Sequence, residues 1–262
     1  MSECMDNYIL NIKTVQSGAF RILIEALKEI LTDGNFEFDS TGIKLMAMDS
    51  THSILIHMKL EACNFEFFYC PKKTITGLHM LNLFKLIKTM SNSETLTLFI
   101  EKNNENQLGI RIHNSEKNSQ TTYKLNLLDI EPENINIPPA EFETELNFPS
   151  CDFQKIIRDM INIGENIEIK SYGPKLILNC NGDFASQETI LGETNNGLKF
   201  NQVSSEDSPV QGIFSLKYLI LFTKCTNLCN QIHLYIKNDY PLVIKYAVAS
   251  LGNIKLCLAP NT

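Results

Sequence analysis

Apolar residues at Phe20, Leu23, Ile24, Leu27, Ile30 and Leu31 recur three and four positions apart. That spacing puts them on one stripe of a helix over Ser17–Leu31, with the polar residues on the other side. Upstream, Tyr8–Val15 alternates and predicts a strand. Further strands are predicted at Asn35–Asp39, Gly42–Met48, His52–Lys59 and Phe65–Tyr69, then a helix at His79–Met90. Thr95–Glu101 and Gln107–His113 form a hairpin around a polar, Asn-rich loop, and Thr121–Leu127 closes the half.

Residues 128–142, LDIEPENINIPPAEF, break the periodicity. Three prolines resist helix and central strand alike, which leaves an extended connector. The plan then restarts: a strand at Glu143–Phe148, a helix at Ser150–Ile163, strands to about residue 190, and a polar loop at Glu193–Pro209. A helix at Ser215–Cys225 and strands at Gln231–Lys237, Leu242–Ala249 and Asn253–Leu258 follow. The restart is visible in the residues themselves. FRILIEALKEILTDGNFEFDSTGIKL from Phe20 pairs with FQKIIRDMINIGENIEIKSYGPKLIL from Phe153. Each half also gains a second helix about sixty residues later. A repeat of this period points to duplicated domains. We divide the chain into a first domain at 1–127, a connector at 128–142 and a second domain at 143–262. Short turns between many strands favour antiparallel sheets with two helices on one face of each domain, an α+β fold.

Charge sharpens the picture. The chain has 262 residues and a net charge of −7, so nucleic acid repels it unless its cations are segregated. They are. Arg21 and Lys28 are seven apart on the first helix, Lys85 and Lys88 three apart on the second, Lys155 and Arg158 three apart on the third, and Lys217 and Lys224 seven apart on the fourth. Each pair falls on a helix face away from the apolar stripe. The first and third helices also carry Glu25, Glu29, Asp152 and Asp159, so those faces are mixed. Phosphate contact suits such faces, and it carries no sequence preference. No aromatic interleaving for unpaired bases and no recognition helix for the major groove is evident.

Other chemistries find little support. No GxxxxGK[ST], HExxH or GxSxG motif occurs, and the five histidines are scattered, so we expect no enzyme and no cofactor. Asp49 beside His52 reads as structural. The eight cysteines, at 4, 63, 70, 151, 180, 225, 229 and 257, contain no CxxC and sit mostly among apolar neighbours. We read them as reduced and core-filling, and expect no metal site. No uninterrupted run of apolar residues reaches membrane-spanning length, and no signal-peptide pattern opens the chain.

Several segments carry a resemblance. MAMDSTH (Met46–His52), KLNLLDIE (Lys124–Glu131), FPSCDFQKIIRDM (Phe148–Met160), LKYLILFTKCT (Leu216–Thr226), PLVIKY (Pro241–Tyr246) and LAP (Leu258–Pro260) appear in the order found in the proliferating cell nuclear antigen family. The chain resembles those DNA sliding clamps over nearly its whole length. The resemblance implies a homotrimer of two-domain subunits closing head to tail into a six-domain ring around double-stranded DNA. It places Arg21, Lys28, Lys85, Lys88, Lys155, Arg158, Lys217 and Lys224 at the DNA. It further implies a processivity factor that tethers DNA polymerase and other replication and repair proteins, and an ATP-dependent clamp loader to open the ring. Partners with a short hydrophobic-aromatic motif would dock on Met48, Ser53, Leu55, Ile135, Ile137, Phe142, Pro241, Cys257, Ala259 and Pro260. The lysine that the family modifies aligns near Gly173, with Lys170 and Lys175 close by. The expected location is the nucleus, or a cytoplasmic viral replication factory if the chain is viral. A checkpoint-type clamp subunit and a monomeric viral processivity factor are the alternatives.

Overall fold

The computed structural model describes residues 7–133, 135–137, 140–204 and 208–261. The chain forms two compact units. The first comprises residues 1–47, 57–135 and 248–254, and the second 48–56, 136–247 and 255–262. Sequence order alone does not separate them, because 48–56 groups with the second unit and 248–254 with the first.

The chain runs β1 (Tyr8–Thr14), α1 (Ser17–Ile30), β2 (Asp33–Asp39), β3 (Gly42–Met48), β4 (Ile54–Glu61), β5 (Phe67–Tyr69), β6 (Thr74–His79), α2 (Met80–Ile87), β7 (Thr95–Glu101), β8 (Asn104–Asn114) and β9 (Ser119–Asn126). In the first unit β5-β1-β7-β8-β9 form a five-stranded sheet, and β6-β2-β3-β4 follow one another in hydrogen-bonded order. β1 runs antiparallel to β5 and β7, β2 to β3 and β6, and β8 to β7 and β9. α1 packs on α2 and buries Phe20, Leu23, Ile24 and Leu27 of the predicted stripe, with Ala26 beside them; Ile30 of that stripe is half-buried, and Leu31 is buried just past the end of the helix. Each buried Phe, Leu or Ile among them contributes about 1.5–3 kcal/mol by leaving water.

After the connector come β10 (Thr144–Pro149), α3 (Ser150–Met160), β11 (Asn166–Tyr172), β12 (Lys175–Asn181), β13 (Ser186–Gly192), β14 (Lys199–Gln202) and β15 (Val210–Ser215). Then follow α4 (Leu216–Phe222), β16 (Gln231–Ile236), β17 (Leu242–Val248) and β18 (Gly252–Leu258). In this unit β13-β12-β11-β15 make a four-stranded sheet, and β14-β10-β16-β17-β18 run in hydrogen-bonded order. α3 packs against α4 and the 3-10 turn that follows it, burying Phe153, Ile157 and Met160.

α2 and α3 end earlier than the periodicity predicts, at Ile87 and Met160, and four further elements depart from it. β6 is a strand that Thr74–His79 does not advertise, because its pattern lacks alternation and pairing with β2 fixes it. The expected polar loop at 193–209 holds the short strand β14, fixed by pairing with β10 rather than by its own polar sequence. β15 extends from Val210 directly into α4. The fourth helix ends at Phe222, and Thr223–Leu228 tightens to 3-10 geometry, so Lys224 lies outside α4. Thr223 and Thr226 side chains there bond to Ile220 and Thr223 carbonyls at 2.8 and 2.7 Å, local bonds that compete with a regular helix.

Candidate nucleic-acid interface and partner surface

The eight predicted cations fall into two classes. Lys85, Lys155, Arg158, Lys217 and Lys224 are exposed, and so is Lys88, the cap residue that ends α2. None of these six makes an ion pair within the described residues. α1 differs. Lys28 retains only 15% side-chain exposure, pairs with Glu29, and holds its ammonium 4.8 Å from the centre of the Phe84 ring on α2. Arg21 reaches Glu25 at 3.9 Å, and its Nε is buried without a partner among the described residues. On the mixed face expected of α1, both cations thus pair with its acids. The Lys28 stem lies against α2, as amphipathic lysine stems do. Lys217 keeps its ammonium 5.4 Å from the Tyr218 ring while remaining exposed.

The predicted docking residues cluster in the second unit, except Ile135, which ends the first. Met48, Leu55 and Cys257 lie on β3, β4 and β18, neighbouring strands in the order β17-β18-β4-β3, and Pro241 precedes β17. All four are half-buried, as are Ser53 and Pro260, while Ala259 and Ile137 are exposed. Burial pushes the Cys257 thiol up to about 11, so it is an apolar wall rather than a nucleophile. Phe142 is anchored: its ring meets Tyr235 at 5.3 Å and Tyr240 at 5.7 Å, and its carbonyl accepts from Gln202 at 2.8 Å. Half-exposed apolar residues that share one region suit a docked hydrophobic segment.

The loop after β3 frames this surface. Asp49 is buried, and its carboxylate accepts the N–H groups of Thr51, Ser53 and Ile54 at 3.1, 2.8 and 2.6 Å, and the Thr51 hydroxyl. Burial works against its ionisation. The Thr51 hydroxyl and the three backbone donors outweigh that, and the carboxyl sits below its ordinary range. Asp49 is thus structural, as its sequence context suggests, and it holds His52 at a φ of 54°. Two bonds then tie the loop outward. The Ala259 N–H donates to the Ser53 carbonyl at 3.0 Å, and the Tyr218 hydroxyl lies 3.1 Å from Thr51 Oγ1. Ser53 and Thr51 hydrogen bonds lower the Tyr218 phenol pKa. This link between α4 and the docking loop had no sequence signal, since 167 positions separate its partners.

The connector's first end is fixed in the first unit. Leu128 bridges to Gly77 on β6, and Asn35 Nδ2 donates to the Ile130 carbonyl at 3.0 Å. A Cβ at Gly77 would lie 2.3 Å from the Leu128 oxygen, so only glycine lets the two backbones approach.

The cysteine expectation holds for Cys70, Cys180 and Cys225, which are buried, and burial pushes Cys225 up to about 12. It is corrected for Cys63 and Cys151, which are exposed; the helix face at Cys151 and the turn at Cys63 point to solvent. Cys4 lies outside the described residues. Gly173 forms the turn of the β11–β12 hairpin with a φ of 50°, a conformation that glycine adopts without strain.

Comparison with known proteins places the chain in a family. A family model of the proliferating cell nuclear antigen N-terminal domain matches residues 9–134, and one of its C-terminal domain matches residues 136–261. The chain belongs to the proliferating cell nuclear antigen family, the sliding clamps. It is 35% identical over 260 residues to the probable DNA polymerase sliding clamp 1 of Paramecium bursaria Chlorella virus 1, covering 97% of this chain and 98% of that one.

Proposed function

We propose that the chain is a non-enzymatic processivity clamp that holds DNA polymerase on duplex DNA. The carrying observation is the set of six cations at α2, α3, α4 and the turn after α4 that are unpaired among the described residues, in a chain of net charge −7. Exposed Lys and Arg not engaged in ion pairs attract phosphates through counterion release and leave base sequence unread. A clamp held that way stays on DNA yet keeps no register, so it slides. Tethering raises the polymerase's effective concentration at the primer end.

Three copies closing head to tail complete the reading. β9 and β13 are terminal strands of their sheets, with runs of exposed positions and Ile190 57% exposed. Unpaired edges of this kind are templates for another chain, and pairing β9 of one copy with β13 of the next is a heterologous contact that closes when its rotation allows. A closed ring requires an ATP-driven loader to open it. Polymerase and other partners dock a hydrophobic-aromatic segment on the surface around Phe142 and Leu55.

Light scattering during size-exclusion chromatography over a concentration series tests the ring. A mass three times 29.8 kDa is expected. A monomer at every concentration overturns the ring and favours a monomeric processivity factor instead.

A further inference from the structure

A cavity of about 450 Å³ opens in the second unit, among β11, β15 and the turn joining β16 to β17. Its volume is in the range of pockets that hold ligands. Its walls are fixed before anything binds. Asn238 Oδ1 accepts the Gln211 N–H at 2.9 Å, and the Asn261 N–H donates to the Ile213 carbonyl at 2.8 Å. Two carboxylates line it, Glu168 on β11 and Asp239 on the turn. Among the described residues Asp239 takes no hydrogen bond or ion pair, and Glu168 uses Oε2 to accept from Asn179 at 3.1 Å, leaving Oε1 without a partner. No described Lys or Arg lines the cavity. Lys237, adjacent in sequence, is drawn toward the Tyr240 ring at 5.8 Å.

The cavity is continuous with the docking surface. Pro260 belongs to both, and Tyr240, which lines the cavity, carries the Phe142 ring on its edge. A segment lying on the apolar surface therefore passes the two carboxylates. The complementary group is planar, cationic and rich in donors. A guanidinium satisfies two carboxylates and stacks on an aromatic ring, whereas an ammonium offers only a point charge.

We propose that this cavity receives an arginine side chain flanking the hydrophobic-aromatic core of a docked partner segment, with Glu168 and Asp239 as its carboxylate partners. The inference rests on the docking reading above, and the following experiment separates the two.

Fluorescence anisotropy is measured with three labelled peptides that share one hydrophobic-aromatic core. One carries arginine before the core, one after it, and one has alanine at both places. Each is titrated with the full-length chain and with its E168Q/D239N double variant. Both substitutions keep shape, and Asn tolerates the φ of 55° at position 239. With the unaltered chain, arginine at one flank tightens binding about tenfold over alanine at about 0.1 M salt, a charge-assisted gain that added salt erodes. With the double variant that ratio falls below about twofold, while the alanine peptide binds both proteins equally. An equal arginine advantage with both proteins, or none with either, overturns the cavity assignment and leaves docking intact. Should none of the peptides bind, the docking reading falls, and N-acetylarginine amide followed by amide NMR decides the cavity alone. Shifts at Gln211 and Asn238 that vanish in the double variant sustain it, and their absence overturns it.

Discussion

α1 and α3 stand at matching points of the two halves, each with two cations and two acids, yet they present different surfaces. On α3, Lys155 and Arg158 are exposed and make no ion pair among the described residues. On α1, Arg21 leans on Glu25, and Lys28 is folded over Phe84 beside Glu29. The difference comes from the neighbouring helix. α2 places the Phe84 ring where the Lys28 stem can cover it, whereas spacing does not distinguish the two helices, since Asp159 of α3 also sits one residue from Arg158 and four from Lys155. A pair of basic residues seven apart thus says which side of a helix they occupy, but not whether their charge is available. The second unit carries four of the six available cations.

The largest effect follows from that imbalance. Replacing Lys155, Arg158, Lys217 and Lys224 together with alanine should lower DNA retention by tenfold or more at about 0.1 M salt. It should also flatten the slope of log affinity against log salt by about 0.9 for each phosphate left without its cation. Replacing Arg21 and Lys28 should flatten it by far less. The second variant should instead lose thermal stability, because the Lys28 stem packs on Phe84. Salt-dependent binding of both variants to a duplex, with melting curves alongside, checks the contrast. Equal slopes for the two variants would break it.

The connector gives a second comparison, between its two ends. The first end is held by backbone approach at Gly77, the second by the Phe142 ring on Tyr235 and Tyr240. Gly77→Ala should cost about 1–3 kcal/mol, since a Cβ 2.3 Å from a carbonyl oxygen forces one strand away. Phe142→Ala should cost about 0.5–1.5 kcal/mol for each aromatic pair it removes and should weaken partner docking more strongly. Denaturant melts and peptide titrations of both variants separate stability from docking. A Gly77→Ala chain that melts like the unaltered one would remove the close-approach argument.

Much of this is legible in the amino-acid sequence. The stripes of α1 and α3, the duplication and the extended connector follow from periodicity and proline chemistry, which are local. β6, β14 and the early end of α4 do not, because pairing with β2 and β10 and threonine bonds to carbonyls decide them. The fate of Lys28 depends on Phe84, 56 positions away, and the tie between Tyr218 and Thr51 on residues in different parts of the chain. The cavity that Pro260 lines joins four separate segments, so neither of its carboxylates stands out by spacing.

Two turn aspartates make the finest comparison. Asp39 in the first unit accepts Lys44 Nζ at 2.6 Å and the Thr41 N–H and hydroxyl at 2.7 and 2.5 Å; the Lys44 bond is the main cause holding its carboxyl far below the ordinary 3.8. Asp49 in the second unit is also lowered, but by the Thr51 hydroxyl and three backbone donors against opposing burial. The sign is the same for both. Below 3.8 the unfolded chain binds more protons than the folded one, so each carboxylate's contribution is present above 3.8 and is lost as pH falls through the lower folded value. The sizes differ. Asp39→Asn removes a pair whose lysine is 35% exposed and should cost only about 0–1 kcal/mol at neutral pH. Asp49→Asn turns one acceptor into a donor facing buried N–H groups and should cost about 1–3 kcal/mol. Melting temperatures from pH 7 down to about 3 check both, with each variant losing part of the acid sensitivity of the unaltered chain. If Asp39→Asn proves the costlier change at neutral pH, the surface pair rather than the buried turn is the stronger fixture, and the ranking of the two loops reverses.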